Sequence, residues 1–211
     1  VRKAVNRAVD AGITVITTNA DIEGTKRHWC VGADNAQGAH IAGRMMGLFL
    51  GGKGRIAVVS SAIASENNNC YVQLRENEFK RFVRETYPDI QIVTTIDSFE
   101  DPQITYEKTA QLLRDYQDLQ GLYITCGGVS QVGRALEESG RAKDIRVISY
   151  EDYPEVVEFV RKDVIDCTLA GEIQKQGEIP VQLIMDHLVF GKQPENDQIF
   201  TEIKVIVKES L

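Results

Sequence analysis

No stretch of this 211-residue sequence approaches the roughly 18 consecutive apolar residues of a membrane-spanning helix, so no insertion in a membrane is expected. Positive charge is scarce. Lys and Arg number 24 against 31 Asp and Glu, and the net charge is −7. A surface of that sign repels a phosphate backbone, which argues against these residues gripping nucleic acid themselves. Cysteine is limited to Cys30, Cys70, Cys126 and Cys167, none in a Cys-x-x-Cys pair. Two disulfides are arithmetically possible, but a chain of this length does not need them to hold a core. Reduced thiols and a cytoplasmic setting are therefore expected, which weighs against export without excluding it.

The usual marks of catalysis are also missing. His28, His40 and His187 are scattered without metal-ligand spacing, so no metal is expected. No Gly-x-Ser-x-Gly elbow occurs, and no Cys–His pair can be argued from the sequence. "GGKGR" at 51–55 looks like half a phosphate loop, but a helix precedes it and a strand follows, the reverse of what such a loop requires. It reads as a helix C-cap and turn. "CGGVSQVG" at 126–133 does follow a strand and open a helix. It lacks the full dinucleotide fingerprint and a suitably spaced ribose-binding acid, so it reads as a glycine-rich loop beside a ligand pocket. No cofactor is expected, and no enzymatic activity.

What is present is an ordinary globular composition, 43% apolar and 26% charged. The length suits one large domain or two small lobes. The start, "VRKAVNRAVDAG", is an amphipathic helix pattern that opens in mid-helix without an initiator Met, as a fragment of a longer protein would. Apolar runs then recur as "ITVITT" (13–18), "RIAVVS" (55–60), "IQIVTT" (90–95), "GLYITC" (121–126), "IRVISY" (145–150) and "DCTLA" (166–170). Helical spacing fills the gaps at 37–50, 69–87, 103–116, 130–139 and 155–162. Leu74, Phe79, Phe82 and Val83 form one expected inner face, and Thr109, Leu112 and Leu113 another. Strands apolar on both faces alternating with helices mean βα units and a parallel sheet covered on both sides. The segment 171–191 reads as a long helix with a boundary or kink at Pro180, and "IFTEIKVIVKE" as a final strand.

In open α/β sheets, ligands bind beyond the carboxyl ends of the strands. Asn19, Asp34, Phe99, Thr125, Glu151 and Glu172 stand at such ends, with Arg75 on a helix nearby. Amide, carboxylate and guanidinium groups bind hydroxyls in pairs, and an aromatic ring covers the apolar face of a sugar. Each of these residues has a plain alternative as a cap, turn or surface charge; their common placement is the stronger signal.

In order, "AGITVITTNAD", "VGADNAQGAHIAG", "GRIAVVSS…LRENEF", "GLYITCGG…RALEESG", "RVISYEDYPE" and "VIDCTLAGEIQKQG" resemble the type I periplasmic binding protein superfamily. That superfamily includes sugar-transport receptors and the effector domains of lactose-repressor-type (LacI-type) transcription regulators. The resemblance spans essentially all 211 residues. It implies two doubly wound parallel-sheet lobes with three crossovers and a ligand cleft between them. Residues 1–33 and 171–203 would form an N-terminal lobe, incomplete here because its opening portion precedes Val1. Residues 34–170 and 204–211 would form the C-terminal lobe.

"GADN" would be the first crossover, with Asp34 or Asn35 capping the next helix. The small residues Ala36, Gly38, Ala39, Ala42 and Gly43 would let that helix pack closely, or border a dimer surface. By the same resemblance Arg75, four residues before Phe79, and the stacking Phe99 are kept. The strand-end aromatic-aspartate pair becomes Tyr150-Glu151. The Asp-Arg pair of many sugar binders becomes Asn19-Ala20, and the glutamine of the second crossover becomes Gly171 beside Glu172. The pocket is thus rewired, toward a sugar or polyol or, given the extra acids, an amine-bearing ligand.

The first expectation is the effector-binding core of a cytoplasmic, homodimeric regulator whose DNA contact lies in an upstream helix-turn-helix. The alternative is an exported solute-binding protein of an ABC-type sugar transporter. An enzyme on a Rossmann-like sheet and the sensor domain of a membrane kinase are lesser readings.

Overall fold

A computed structural model of the chain describes residues 1–61 and 70–211. The helix start expected at Asn69, most of the loop "SSAIASE" and the Cys70 thiol lie outside the described residues. The chain forms two compact units and passes between them three times. The first unit is Val1–Asp34 with Gly171–Ile203, the second Asn35–Ala170 with Lys204–Leu211. Asp34, expected with the second unit, groups with the first. Among the described residues no helix is long and apolar enough to cross a membrane.

The first unit has a three-stranded parallel sheet in the order β1 (Ile16–Thr18), β2 (Trp29–Ala33), β8 (Gln198–Thr201). Two helices, α1 (Arg2–Asp10) and α7 (Ile173–Phe190), complete it. Of the boundary or kink expected at Pro180, the boundary is absent, and α7 runs through it as one helix. Proline has no N–H to give the carbonyl four residues back. That carbonyl belongs to Gln176, and the Thr18 hydroxyl donates to it at 2.8 Å. A side-chain donor at the end of β1 thus replaces the missing helical bond.

In the second unit β3 (Lys53–Ser60), β4 (Asp89–Asp97), β5 (Gly121–Ile124), β6 (Arg146–Tyr150), β7 (Cys167–Gly171) and β9 (Ile203–Ile206) form a six-stranded sheet. Their order is β4-β3-β5-β6-β7-β9, and β3 through β7 pair in parallel. The expected final strand is therefore two, β8 and β9, one in each sheet. Glu202 separates them.

Helices α2 (Asn35–Phe49), α3 (Cys70–Thr86), α4 (Pro102–Asp115), α5 (Val129–Ser139) and α6 (Pro154–Arg161) follow the strands as crossovers. Ala57, Val59, Leu122, Ile124, Leu136 and Val147 are fully buried in the core this arrangement encloses. Burial of apolar side chains such as these supplies the dominant driving force for the fold. On α3 the inner face is Val72, Arg75, Glu76, Phe79 and Val83. Leu74, expected there, is exposed. The buried positions step by three and four residues, and Leu74 lies off that stripe.

The small residues of α2 have a packing reason. A Cβ on Gly43 would meet the Phe82 ring at 2.6 Å, and one on Gly47 the Tyr87 ring at 2.1 Å. The "GGKGR" segment holds the turn after α2 and the first residues of β3. Gly51 and Gly52 take φ of 61° and 81°, and the Gly52 N–H donates to the Gly47 carbonyl at 2.8 Å. Three of the cysteines, Cys30, Cys126 and Cys167, are free and buried.

Candidate functional site

The carboxyl ends of β3 to β7 define one edge of the second unit, and Arg75 reaches it from α3. Its Nε donates to Asn35 Oδ1 at 2.7 Å and its Nη1 to the Thr125 carbonyl at 3.2 Å. The guanidinium carbon lies 3.7 Å from the centre of the Tyr150 ring and 5.1 Å from that of Tyr71. Such ring faces attract a cation electrostatically. Only 6% of Arg75 is exposed. A guanidinium fixed on two acceptors and held against aromatic faces has little freedom to reorient. Its Nη2 side then faces Glu151, with Oε1 at 3.7 Å.

Glu151 is held at φ 74°, in the left-handed region. Its N–H donates to the Leu169 carbonyl, and its own carbonyl accepts from Thr168 Oγ1. These bonds to β7 keep the strained residue in place. Burial pushes the Glu151 carboxyl above its usual range, with the nearby Arg75 charge pulling the other way. The separation of 3.7 Å is too long for a direct hydrogen bond. It suits one bridging hydroxyl, which can accept from Nη2 and donate to Oε1 at ordinary distances.

Tyr150 is buried behind the guanidinium and accepts a bond from Tyr123 at 3.1 Å. Tyr123 in turn stacks on Phe79, with ring centres 4.0 Å apart. Tyr150 is thus a positioning residue for Arg75 rather than an open contact. Thr125, expected to face a ligand, is fully buried, and its hydroxyl donates to the Val59 carbonyl. It serves the edge through its backbone oxygen on Arg75.

Phe99 stands after β4, three places along the sheet from β6. Strand ends at that remove are about 14 Å apart. Phe99 and Glu100 are consecutive left-handed residues, φ 52° and 54°. The Phe99 N–H is held by Asp97 Oδ1 and the Glu100 N–H by Ser98 Oγ. Half of Phe99 is exposed, and the Lys108 ammonium lies 4.4 Å from its ring centre.

In the first unit Asn19 follows β1 with φ 65° and is exposed. Its backbone is tight against Gly32, where a Cβ would sit 3.0 Å from the Asn19 carbonyl oxygen. Asp34 follows β2 and is half-buried. Glu172 is engaged locally. It pairs with Lys175 at 2.8 Å, and its Oε2 accepts the Glu202 N–H at 3.3 Å. The structure therefore joins Arg75, Thr125, Tyr150 and Glu151 in one cluster, with Phe99 farther along the same edge. Asn19, Asp34 and Glu172 belong to the other unit.

Sequence reasoning missed Tyr71 and Tyr123. Tyr71 lies one helical turn before Arg75, a spacing that puts both side chains on one face, so that signal was available. Tyr123 lies inside an apolar strand and looks like any core residue there. The glycine pair 127–128 does not cradle a ligand through Gly128: its left-handed φ of 87° starts α5, and a Cβ there would meet Thr105 at 2.9 Å.

The fold and this edge define a binding protein of the type I periplasmic class, with α/β units built on parallel sheets. Residues 1–193 match the periplasmic binding protein domain family, and the chain belongs to it. Solved structures similar to it include GanP, a glucose-galactose binding protein from Geobacillus stearothermophilus, 26% identical with a TM-score of 0.88. The likeness covers 99% of this chain and 72% of that one. A sugar-binding protein of a sugar ABC transporter from Bacillus halodurans is 25% identical with a TM-score of 0.88, over 99% of this chain and 73% of that one. AraP, an arabinose binding protein from Geobacillus stearothermophilus, shares the fold at 23% identity and a TM-score of 0.84, over 98% and 72%. No curated protein matches the chain.

Proposed function

We propose that this chain is the sugar-binding part of a solute-binding protein that serves an ABC-type uptake transporter. The observation that carries it is the Arg75–Glu151 pair, a fixed donor and acceptor 3.7 Å apart at the carboxyl edge of the six-stranded sheet. One sugar hydroxyl fits between them, and the half-exposed Phe99 ring farther along the edge offers an apolar face for the ring carbons. The glucose-galactose and sugar-transporter relatives support the same reading. They favour the transport receptor over the lactose-repressor-type regulator. This reading places the protein outside the cytoplasm and needs neither a DNA-binding partner nor a homodimer. Its mechanism is reversible capture, with no bond made or broken.

The test is calorimetric titration of the chain with D-glucose, D-galactose and D-arabinose. The expected result is saturable binding of at least one, weakened about tenfold or more in Phe99→Ala, with unfolding unchanged by a substitution at so exposed a site. No binding to any of the three would sink the reading.

A further inference from the structure

Tyr71 belongs to the first turn of α3, one turn before Arg75, and its ring centre lies 5.1 Å from the guanidinium. Tyr150 takes the closer approach at 3.7 Å, and its hydroxyl is engaged with Tyr123. The two tyrosines therefore differ in what they have left to offer. Tyr150 is buried and satisfied. Tyr71 is half-buried, and among the described residues its hydroxyl has no hydrogen-bond partner. An amphipathic ring with its polar tip unengaged is a ready recognition group.

Its surroundings span the edge. The Tyr71 phenol is pushed above its usual range chiefly by burial, and it feels Arg75, Glu100, Glu151 and the Cys126 thiol. Glu100 adjoins Phe99 after β4, while Glu151 follows β6. Tyr71 thus lies within electrostatic reach of both groups of strand-end residues, which the sheet order sets about 14 Å apart.

We infer that Tyr71 is a specificity-determining residue of the sugar site, its hydroxyl bonding the ligand hydroxyl next to the one held between Arg75 and Glu151. The inference rests on the sugar-binding reading above. It names the ligand class more narrowly, as a sugar that presents two neighbouring hydroxyls to this edge. One is gripped by Arg75 with Glu151, and the second by a phenol that can donate or accept. A sugar lacking the second hydroxyl leaves Tyr71 unpaired and binds more weakly.

Tyr71→Phe tests this, because the ring stays beside the guanidinium and only the hydroxyl is removed. D-Glucose, D-galactose and D-arabinose are titrated into both proteins, followed by the singly deoxygenated forms of whichever binds. The expected result is a loss of about tenfold for the parent sugar in Tyr71→Phe. One deoxy sugar should lose the same factor with the natural protein and nothing further with the variant. Equal loss against every analogue would mean that Tyr71 only positions Arg75, and would overturn the inference. Unchanged affinity throughout would overturn it too, while leaving the sugar-binding reading intact. Failure of all three sugars to bind the natural protein would overturn both.

Discussion

The Thr18 hydroxyl bonds the one carbonyl in α7 that Pro180 leaves without a helical donor, that of Gln176, at 2.8 Å. Gln176 is itself buried, and its side-chain amide donates to Thr201 Oγ1 at 3.2 Å. One residue of α7 is thereby tied to the ends of both outer strands, β1 and β8. Thr18→Val keeps the shape and removes the donor. It should destabilise the first unit by about 1–3 kcal/mol, the usual consequence of an unsatisfied buried carbonyl. Trp29, the only tryptophan, lies buried in β2 and reports on this unit by fluorescence during urea unfolding. In a Pro180→Ala background the restored N–H takes over the carbonyl, so the loss should shrink. An undiminished loss in that background would refute the account.

The same pair shows where sequence reading stops. Proline chemistry is local, so a boundary or kink at Pro180 is the sound expectation, and the helix shows no boundary there. The donor that satisfies the freed carbonyl lies 158 residues away in sequence. The alternation of strands and helices was legible, because its period is written into the order of apolar residues. So was the placement of Glu151 at a strand end, with Arg75 on a helix nearby. What could not be read was side-chain direction at strand ends. Thr125 and Glu172 look like open polar groups in the sequence, yet one hydroxyl turns into the sheet and one carboxylate holds Lys175 and the Glu202 N–H. The division of "IFTEIKVIVKE" between two sheets was equally hidden, since both halves are good strand sequence.

An ion pair in the first unit sets an acid limit. Arg27 grips Asp21 with two bonds, Nε at 2.6 Å and Nη2 at 2.5 Å, and also reaches Asp197. The Arg27 contact lowers the Asp21 carboxyl from 3.8 to about 2. A group depressed on folding stabilises above its unfolded pKa, and that stability is lost as pH falls through the folded value. Asp21→Asn should therefore lose up to about 2 kcal/mol at pH 7. The difference from the natural chain should close between about pH 4 and pH 2. Urea unfolding followed by Trp29 at a series of pH values measures it, and a difference that persists at pH 2 contradicts the mechanism.

Gly121 begins β5 under two fully buried side chains. A Cβ there would meet Met46 Sδ and Ile56 Cγ2, each at 2.7 Å. Neither can withdraw to solvent. Gly121→Ala should destabilise the second unit by about 1–3 kcal/mol through overpacking, despite the better strand propensity of alanine. Met46→Ala opens space beside it, so the double variant should lose less than the two single losses combined. Additive losses in denaturant unfolding would show that Met46 is not the obstacle.

Glu151 should give the opposite pH signature to Asp21. Burial raises its carboxyl above the ordinary 4.5, against the pull of Arg75. Between the unfolded and folded values the folded chain holds the proton more often than the unfolded chain does. Stability contributed by this group therefore falls as pH rises through that window. Glu151→Gln removes the titration while keeping the shape. The variant should gain stability relative to the natural chain as pH rises from about 4.5, and the difference should level off above the raised value. Circular dichroism through the unfolding transition, at matched ionic strength, gives the comparison. A difference that runs the other way would mean that the Arg75 charge at 3.7 Å outweighs burial, and that Glu151 is a committed anion.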